Sequence, residues 1–144
     1  MSWEKLEDEA KKSGTYVKIK DGESVIGVFQ GDPVSFYSIF GDKANTRYEE
    51  QVEDSTFKFL VNFLVKEKDG WAPKIFQGSL AVLKTILEAK KKYGLDVVME
   101  IKRNGTGKDT RYMFMFDRKL EGDELAAVRA TQLLSLKKKE ESPF

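Results

Sequence analysis

The chain has 144 residues, with 25 Lys and Arg against 24 Asp and Glu, and neither Cys nor His. That length suits one domain with a modest core. Lacking Cys removes disulfides and thiolate chemistry, and lacking His removes the commonest general base and metal ligand. A net charge of +1 leaves nucleic-acid binding to be decided by where the charges sit. Glu4, Glu7, Asp8 and Glu9 lie near one end and Glu140 and Glu141 near the other, so the central body is more basic than the total. No apolar run approaches the ~18 residues of a membrane span, and residues 1–12 are polar, so no membrane and a cytoplasmic location are expected.

Residues 3–12 suit a short amphipathic helix through Trp3, Leu6 and Ala10, stopped by Ser13-Gly14. Residues 16–20 alternate as a strand, with Val17 and Ile19 on one side and Tyr16, Lys18 and Lys20 on the other. Residues 24–40 are β-rich and interrupted at Gly31-Asp32-Pro33, which gives either two strands of a hairpin or one strongly bent ribbon. Phe36 and Tyr37 are neighbours there and point to opposite faces, so Tyr37 is a candidate to leave the core. Residues 41–55 read as a long polar loop. In it Arg47 and Tyr48 either grip phosphate and stack on a base or belong to a solvated loop with one ring tucked down. Its acids, Glu49, Glu50, Glu53 and Asp54, are explained more simply by solvation than by metal.

Residues 56–66 alternate most cleanly. Phe57, Phe59, Val61, Phe63 and Val65 make one face, and Lys58, Leu60, Asn62, Leu64 and Lys66 the other. Lys68-Asp69-Gly70 turns the chain into a further strand over residues 71–77, where Pro73 suggests an edge. Ser79 is a plausible N-cap for a helix through Leu80, Leu83, Ile86, Leu87 and Tyr93, with Lys90, Lys91 and Lys92 in its last turn and Gly94 just beyond. A hairpin follows, residues 97–103 against 110–116. Setting Arg103 opposite Thr110 pairs Ile101 with Tyr112, Met99 with Phe114 and Val97 with Phe116, an apolar face. The other face carries Glu100, Lys102, Arg111 and Met113. Residues 124–139 favour helix, with Leu125, Val128, Leu133, Leu134 and Leu136 for packing.

The run Arg103-Asn104-Gly105-Thr106-Gly107-Lys108-Asp109-Thr110-Arg111-Tyr112, preceded by Lys74-Ile75-Phe76-Gln77-Gly78-Ser79-Leu80 and a helix, resembles the single-stranded DNA-binding proteins of tailed bacteriophages and prophages. The resemblance covers roughly residues 16–116. It implies an OB-fold-like β-barrel, no catalysis, and protection of single-stranded DNA in phage DNA replication, recombination or repair, in the cytoplasm of an infected or lysogenic host. Some relatives hold a structural zinc with Cys and His, a feature that does not transfer to a chain with neither. The fold expected is therefore mainly β with helices (α+β), a barrel with one helix before the final hairpin and a C-terminal helix. Residues 1–120 would form the nucleic-acid-binding domain and residues 121–144 the C-terminal helix and tail.

A single strand offers a phosphate chain and exposed base faces, so a basic groove with aromatic platforms binds it without reading sequence. Lys18, Arg47, Lys58, Lys102, Arg103, Lys108 and Arg111 are the candidate phosphate contacts, and Tyr37, Tyr48, Trp71 and Tyr112 the candidate stacking residues. Tyr112 is the odd one, because the hairpin register turns it inward. The tail Glu140-Glu141-Ser142-Pro143-Phe144 resembles the C-terminal tip of bacterial single-stranded DNA-binding proteins, which recruits replication and repair proteins. No cofactor or metal is expected, and a homo-oligomer is compatible with the pattern.

As an enzyme the chain offers little. Gly105 to Thr110 lacks the spacing of a phosphate loop and runs into a strand instead of a helix, and no serine has a His or Cys partner. The alternative is a protein–protein adaptor using the C-terminal helix and tail.

Overall fold

The computed structural model describes residues 16–39, 47–68 and 70–136. The expected helix over residues 3–12, Phe40, residues 41–46 of the long loop, and the tail with Glu140, Glu141, Pro143 and Phe144 lie outside the described residues. Among the described residues the elements run β1 (Ser24–Ile39), β2 (Arg47–Tyr48), β3 (Ser55–Glu67), β4 (Gly70–Ser79), α1 (Leu80–Tyr93), β5 (Val97–Asn104), β6 (Arg111–Lys119) and α2 (Gly122–Ala130). The strands pair antiparallel in the order β4-β3-β1-β5-β6, with the short β2 added to β1.

This is a mixed α+β fold on an open sheet, which corrects the expected OB-fold-like β-barrel. β4 and β6 stand at the two ends of the order, and among the described residues no backbone ladder joins them. Phe76 of β4 meets Tyr112 and Phe114 of β6 with ring centroids 6.0 and 6.2 Å apart. The edges are thus brought together by side-chain packing, without the hydrogen bonds that closing a barrel requires. Residues 16–20 do not add a strand. Their link to β4 is a single parallel bridge, Tyr16 to Ile75, with the Val17 N–H donating to the Ile75 carbonyl at 2.9 Å. The chain then moves to the end of β5, where the Gly22 N–H donates to the Arg103 carbonyl at 2.8 Å and the Arg103 N–H to the Glu23 carbonyl at 3.0 Å.

β1 is one bent ribbon. Its ladder to β3 shifts between Gln30 and Val34, where Gly31 takes φ +77 and Pro33 has no N–H to offer. The bend gives β1 two partners on its other edge, β5 along residues 24–27 and β2 at Tyr37 and Ser38.

The β3 alternation places both faces of that strand in packing. On the inner face Phe59, Val61 and Phe63 join Ile19, Phe76 and Ile101, with Val82, Leu83 and Ile86 of α1 against them. On the outer face Leu64 joins Val28, Val98, Leu120 and Val128 of α2, and Leu60 joins Phe36, Ile75, Leu134 and Leu136. Gly27 is required by this packing, because a Cβ there would lie 2.6 Å from the Phe63 ring and 2.4 Å from the Leu64 carbonyl oxygen. α1 is capped as expected, with the Ser79 hydroxyl accepting from the Val82 N–H at 3.4 Å and the Gly94 N–H donating to the Lys90 carbonyl at 2.8 Å.

The final hairpin keeps its expected faces but is shifted by two residues. Arg103 faces Tyr112, Ile101 faces Phe114 and Met99 faces Phe116. The shift comes from the loop, where a 3-10 turn over Gly107–Asp109 draws Thr110 inside. The Thr110 hydroxyl donates to the Gly107 carbonyl at 2.8 Å, and Gly105 sits at φ +91 with no room for a Cβ beside the Asp109 carbonyl. Because the shift is an even number, the side chains of residues 99–103 and 111–116 stay on their faces, while a bulge between Val98 and Met99 sets Val97 opposite Lys119 instead of the expected Phe116.

The helix expected over residues 124–139 stops at Ala130. Beyond it, residues 132–136 cross the outer face of the sheet, and Asn62 explains why. Its Nδ2 donates to the Leu134 carbonyl at 3.0 Å, and its Oδ1 accepts from the Leu134 N–H at 2.8 Å. Asn62 is 3% exposed, so these bonds meet the need of a polar group placed in an apolar strand. Asn62→Leu should lower the unfolding free energy by ~1–3 kcal/mol and speed amide exchange at Leu134. An unchanged denaturation midpoint with unchanged exchange would show that the crossing segment does not depend on this pair.

Candidate nucleic-acid interface

The registers sort the candidate residues by face. At the hairpin end of the outer face, Ser24 pairs with Lys102 and Lys102 with Met113, while Asn104 pairs with Arg111. One row further in, Ile26 pairs with Glu100 and Glu100 with Met115. On the other side of β1, Gly27 faces Val65, so Lys66 follows Ile26 across the sheet, and Lys66 in turn faces Trp71. The Lys66 ammonium lies 5.0 Å from the Trp71 ring centroid. Trp71, partly buried, packs against the Val28, Leu64 and Val98 cluster. Ile26 is 36% and Met113 50% exposed, so α2 leaves this end of the face open. The result is a half-exposed surface with one indole, two apolar side chains and the cations Lys66, Lys102 and Arg111, interrupted by the acid Glu100.

Arg118 and Glu124 border this surface. Arg118 faces Val98 across β6 and β5. It donates from Nε to Glu124 Oε1 at 3.1 Å and from Nη2 to Oε2 at 2.6 Å, and from Nη1 to Asp117. The hydrogen bonds from Arg118 hold the Glu124 carboxyl below the usual carboxylate range against some desolvation, and the charges of Arg118 and Lys66 add to the effect. The same bonds, accepted by Glu124, raise Arg118.

Trp71, Lys102 and Arg111 therefore fall on one end of one face, spread over β4, β5 and β6, and the other candidates do not. Tyr37 and Tyr48 face each other at the far end of β1, with Phe57 5.6 Å from Tyr37. That group lies on the inner face, the reverse of the Trp71 surface. Lys58 is on the outer face but at the far end, opposite Phe36 and Ser79. Lys18 is exposed between the inward Val17 and Ile19. Arg47 pairs with Ser38 through the backbone, and Lys108 belongs to the 3-10 turn. Tyr112 is inward against Phe76. Beneath α1 lies an apolar cavity of about 100 Å³ lined by Phe29, Phe59, Leu83, Ile86, Met99 and Phe114, on the inner side of the sheet.

Arg103 is a structural clamp. Its Nη1 donates to the Ile19 carbonyl at 2.9 Å, Nε to the Gly105 carbonyl at 3.2 Å and Nη2 to the Thr110 hydroxyl at 3.5 Å. The residues on and beside this surface that sequence reasoning passed over are Lys66, Arg118 and Glu124. Lys66 could have been found, since the turn signal Lys68-Asp69-Gly70 in the sequence implies a hairpin that sets it opposite Trp71. Arg118 and Glu124 carry no local signal.

Comparison with family models, with curated proteins and with solved structures finds no match. The resemblance to phage and prophage single-stranded DNA-binding proteins is corrected accordingly, since no kinship supports it and the open sheet contradicts the barrel it implied. The phage setting of replication, recombination and repair drawn from it falls with it, and DNA binding is left without support from kinship. Among the described residues no group of three His, Cys, Asp or Glu is arranged to hold a metal, and no helix is long and apolar enough to cross a membrane.

Arg103→Met should lower the melting temperature, costing ~1–3 kcal/mol for the lost carbonyl bonds, while leaving the salt slope of any oligonucleotide binding as it is in the wild type. A slope reduced by one ion at unchanged stability would put Arg103 among the phosphate contacts.

Proposed function

We propose that the protein binds single-stranded DNA with little sequence preference through the outer face at the hairpin end of the sheet. The observation that carries this is the cross-strand grouping of Trp71, Lys66, Lys102 and Arg111 on one uncovered surface. A base stacks on the indole beside the exposed Ile26 and Met113, displacing the Lys66 ammonium from the ring, and Lys102 and Arg111 take the flanking phosphates. An indole platform with flexible cations suits a strand whose base faces are exposed better than a stacked duplex. Net charge near neutrality does not oppose the reading, because association follows the local field.

The exposure of Ile26 and Met113 also favours a second reading, a protein partner on the same surface. The two separate by salt. Phosphate contacts make affinity fall as salt rises, in proportion to their number, whereas an apolar contact with protein does not.

Fluorescence anisotropy of a labelled oligothymidine of about thirty bases, at low and moderate salt and against the matching duplex, tests the proposal. Salt-sensitive binding of the single strand is expected. Arg111→Ala should weaken it and flatten the salt slope by about one ion, and Trp71→Ala should cost ~1–3 kcal/mol of binding. Failure to bind at low salt would overturn the proposal and leave the protein-partner reading.

A further inference from the structure

We propose that Lys66 and Arg118 form a further phosphate site on this surface, occupied in the free protein by the carboxylate of Glu124; the inference rests on the single-strand reading above. The geometry of the pair leads to it. Arg118 offers Nε and Nη2 as a fork, and the two Glu124 oxygens accept one bond each at 3.1 and 2.6 Å. A phosphodiester presents the same two-oxygen acceptor to a guanidinium. Lys66 lies near enough for its charge to act on Glu124, and its ammonium also stands over Trp71. The charge of Lys66 therefore adds to the hold of the Arg118 fork on one anion, and Lys66 itself borders the indole proposed to stack a base.

The anion can be exchanged. The side chains of Arg118 and Glu124 are 43% and 26% exposed, so a phosphate reaches the guanidinium from solvent. α2 is anchored to the sheet by Val128 and Leu125, so the Glu124 side chain swings away without undocking the helix. Asp117 holds the remaining guanidinium nitrogen throughout, which keeps the fork aimed. Glu124 then acts as a built-in competitor that lowers affinity for DNA and disfavours weakly bound anions.

A purely structural pair makes a different forecast. Glu124 lies in the first turn of α2, where an acid stabilises the helix, and on that basis its removal would lower the melting temperature and leave DNA binding unchanged. Glu124→Gln in the full chain decides between them, with the labelled oligothymidine as probe. Roughly 2- to 5-fold tighter binding at low salt is expected, the range that an exposed ion pair supports, with the salt slope steeper by about one ion. Adding Arg118→Gln to that variant should return the affinity to the wild-type level or below. Lys66→Gln alone should weaken binding and flatten the slope, and it does not depend on how Glu124→Gln folds. Binding by a folded Glu124→Gln that is no tighter than wild type, or an unaltered slope in Lys66→Gln, would overturn the inference while the wild type still binds. A wild type that binds no oligothymidine would instead fail the reading on which it rests.

Discussion

Asn62 sits in the middle of β3, the strand packed on both faces, and it can be buried there only because Leu134 supplies both an acceptor and a donor. An amide without those partners would carry the full desolvation cost of two polar atoms. The pair therefore decides where the C-terminal segment runs. It brings Leu134 and Leu136 onto Phe36, Leu60 and Ile75, and it is accompanied by the end of α2 at Ala130, because a helix continued through Leu134 would keep that backbone for itself. With α2 docked by Val128 and Leu125, one part of the outer face is closed by the chain itself.

What stays open follows from the same arrangement. The cover reaches Val28, Leu64 and Val98 but leaves Ile26 and Met113 exposed at the hairpin end. There the strand order brings β4, β3, β1, β5 and β6 side by side, and residues from all five meet on one surface. Near the hairpin the inner face is filled by Phe29, Phe63, Phe76, Tyr112 and Phe114. Arg103 and Asp21 fix the loop end, the first through the Ile19 carbonyl and the second by accepting from the Gly105 N–H at 2.8 Å. Cations carried on β-ladders are held more firmly than cations on a loop, which favours Lys66 and Lys102 as binding groups.

Local chemistry was legible in the sequence. The period of two in β3, the caps of α1 and the faces of the hairpin all appear in the structure. The sequence could not give the closure of the sheet, because a barrel depends on whether β4 and β6 share a ladder, and no local pattern reports a pairing between edges so far apart. It also missed the Asn62 and Leu134 contact, which joins residues 72 apart. For the site, Lys102 and Arg111 were readable from the hairpin, and Trp71 as an aromatic on an edge strand. Tyr37 and Tyr48 fell elsewhere because alternation fixes which residues share a face but not where along a bent strand they lie. Arg103 was read as a free cation since nothing local shows that the Ile19 carbonyl lies within its reach.

The account turns on which surface meets the strand. Amide and side-chain chemical shifts of the isotope-labelled full chain, followed as oligothymidine is added, report this directly. Shifts concentrated at Ile26, Lys66, Trp71, Lys102, Arg111 and Met113, with Tyr37, Tyr48 and Phe57 unmoved, are the predicted result. Shifts centred on Tyr37, Tyr48 and Phe57, or no shifts at all, would contradict the account.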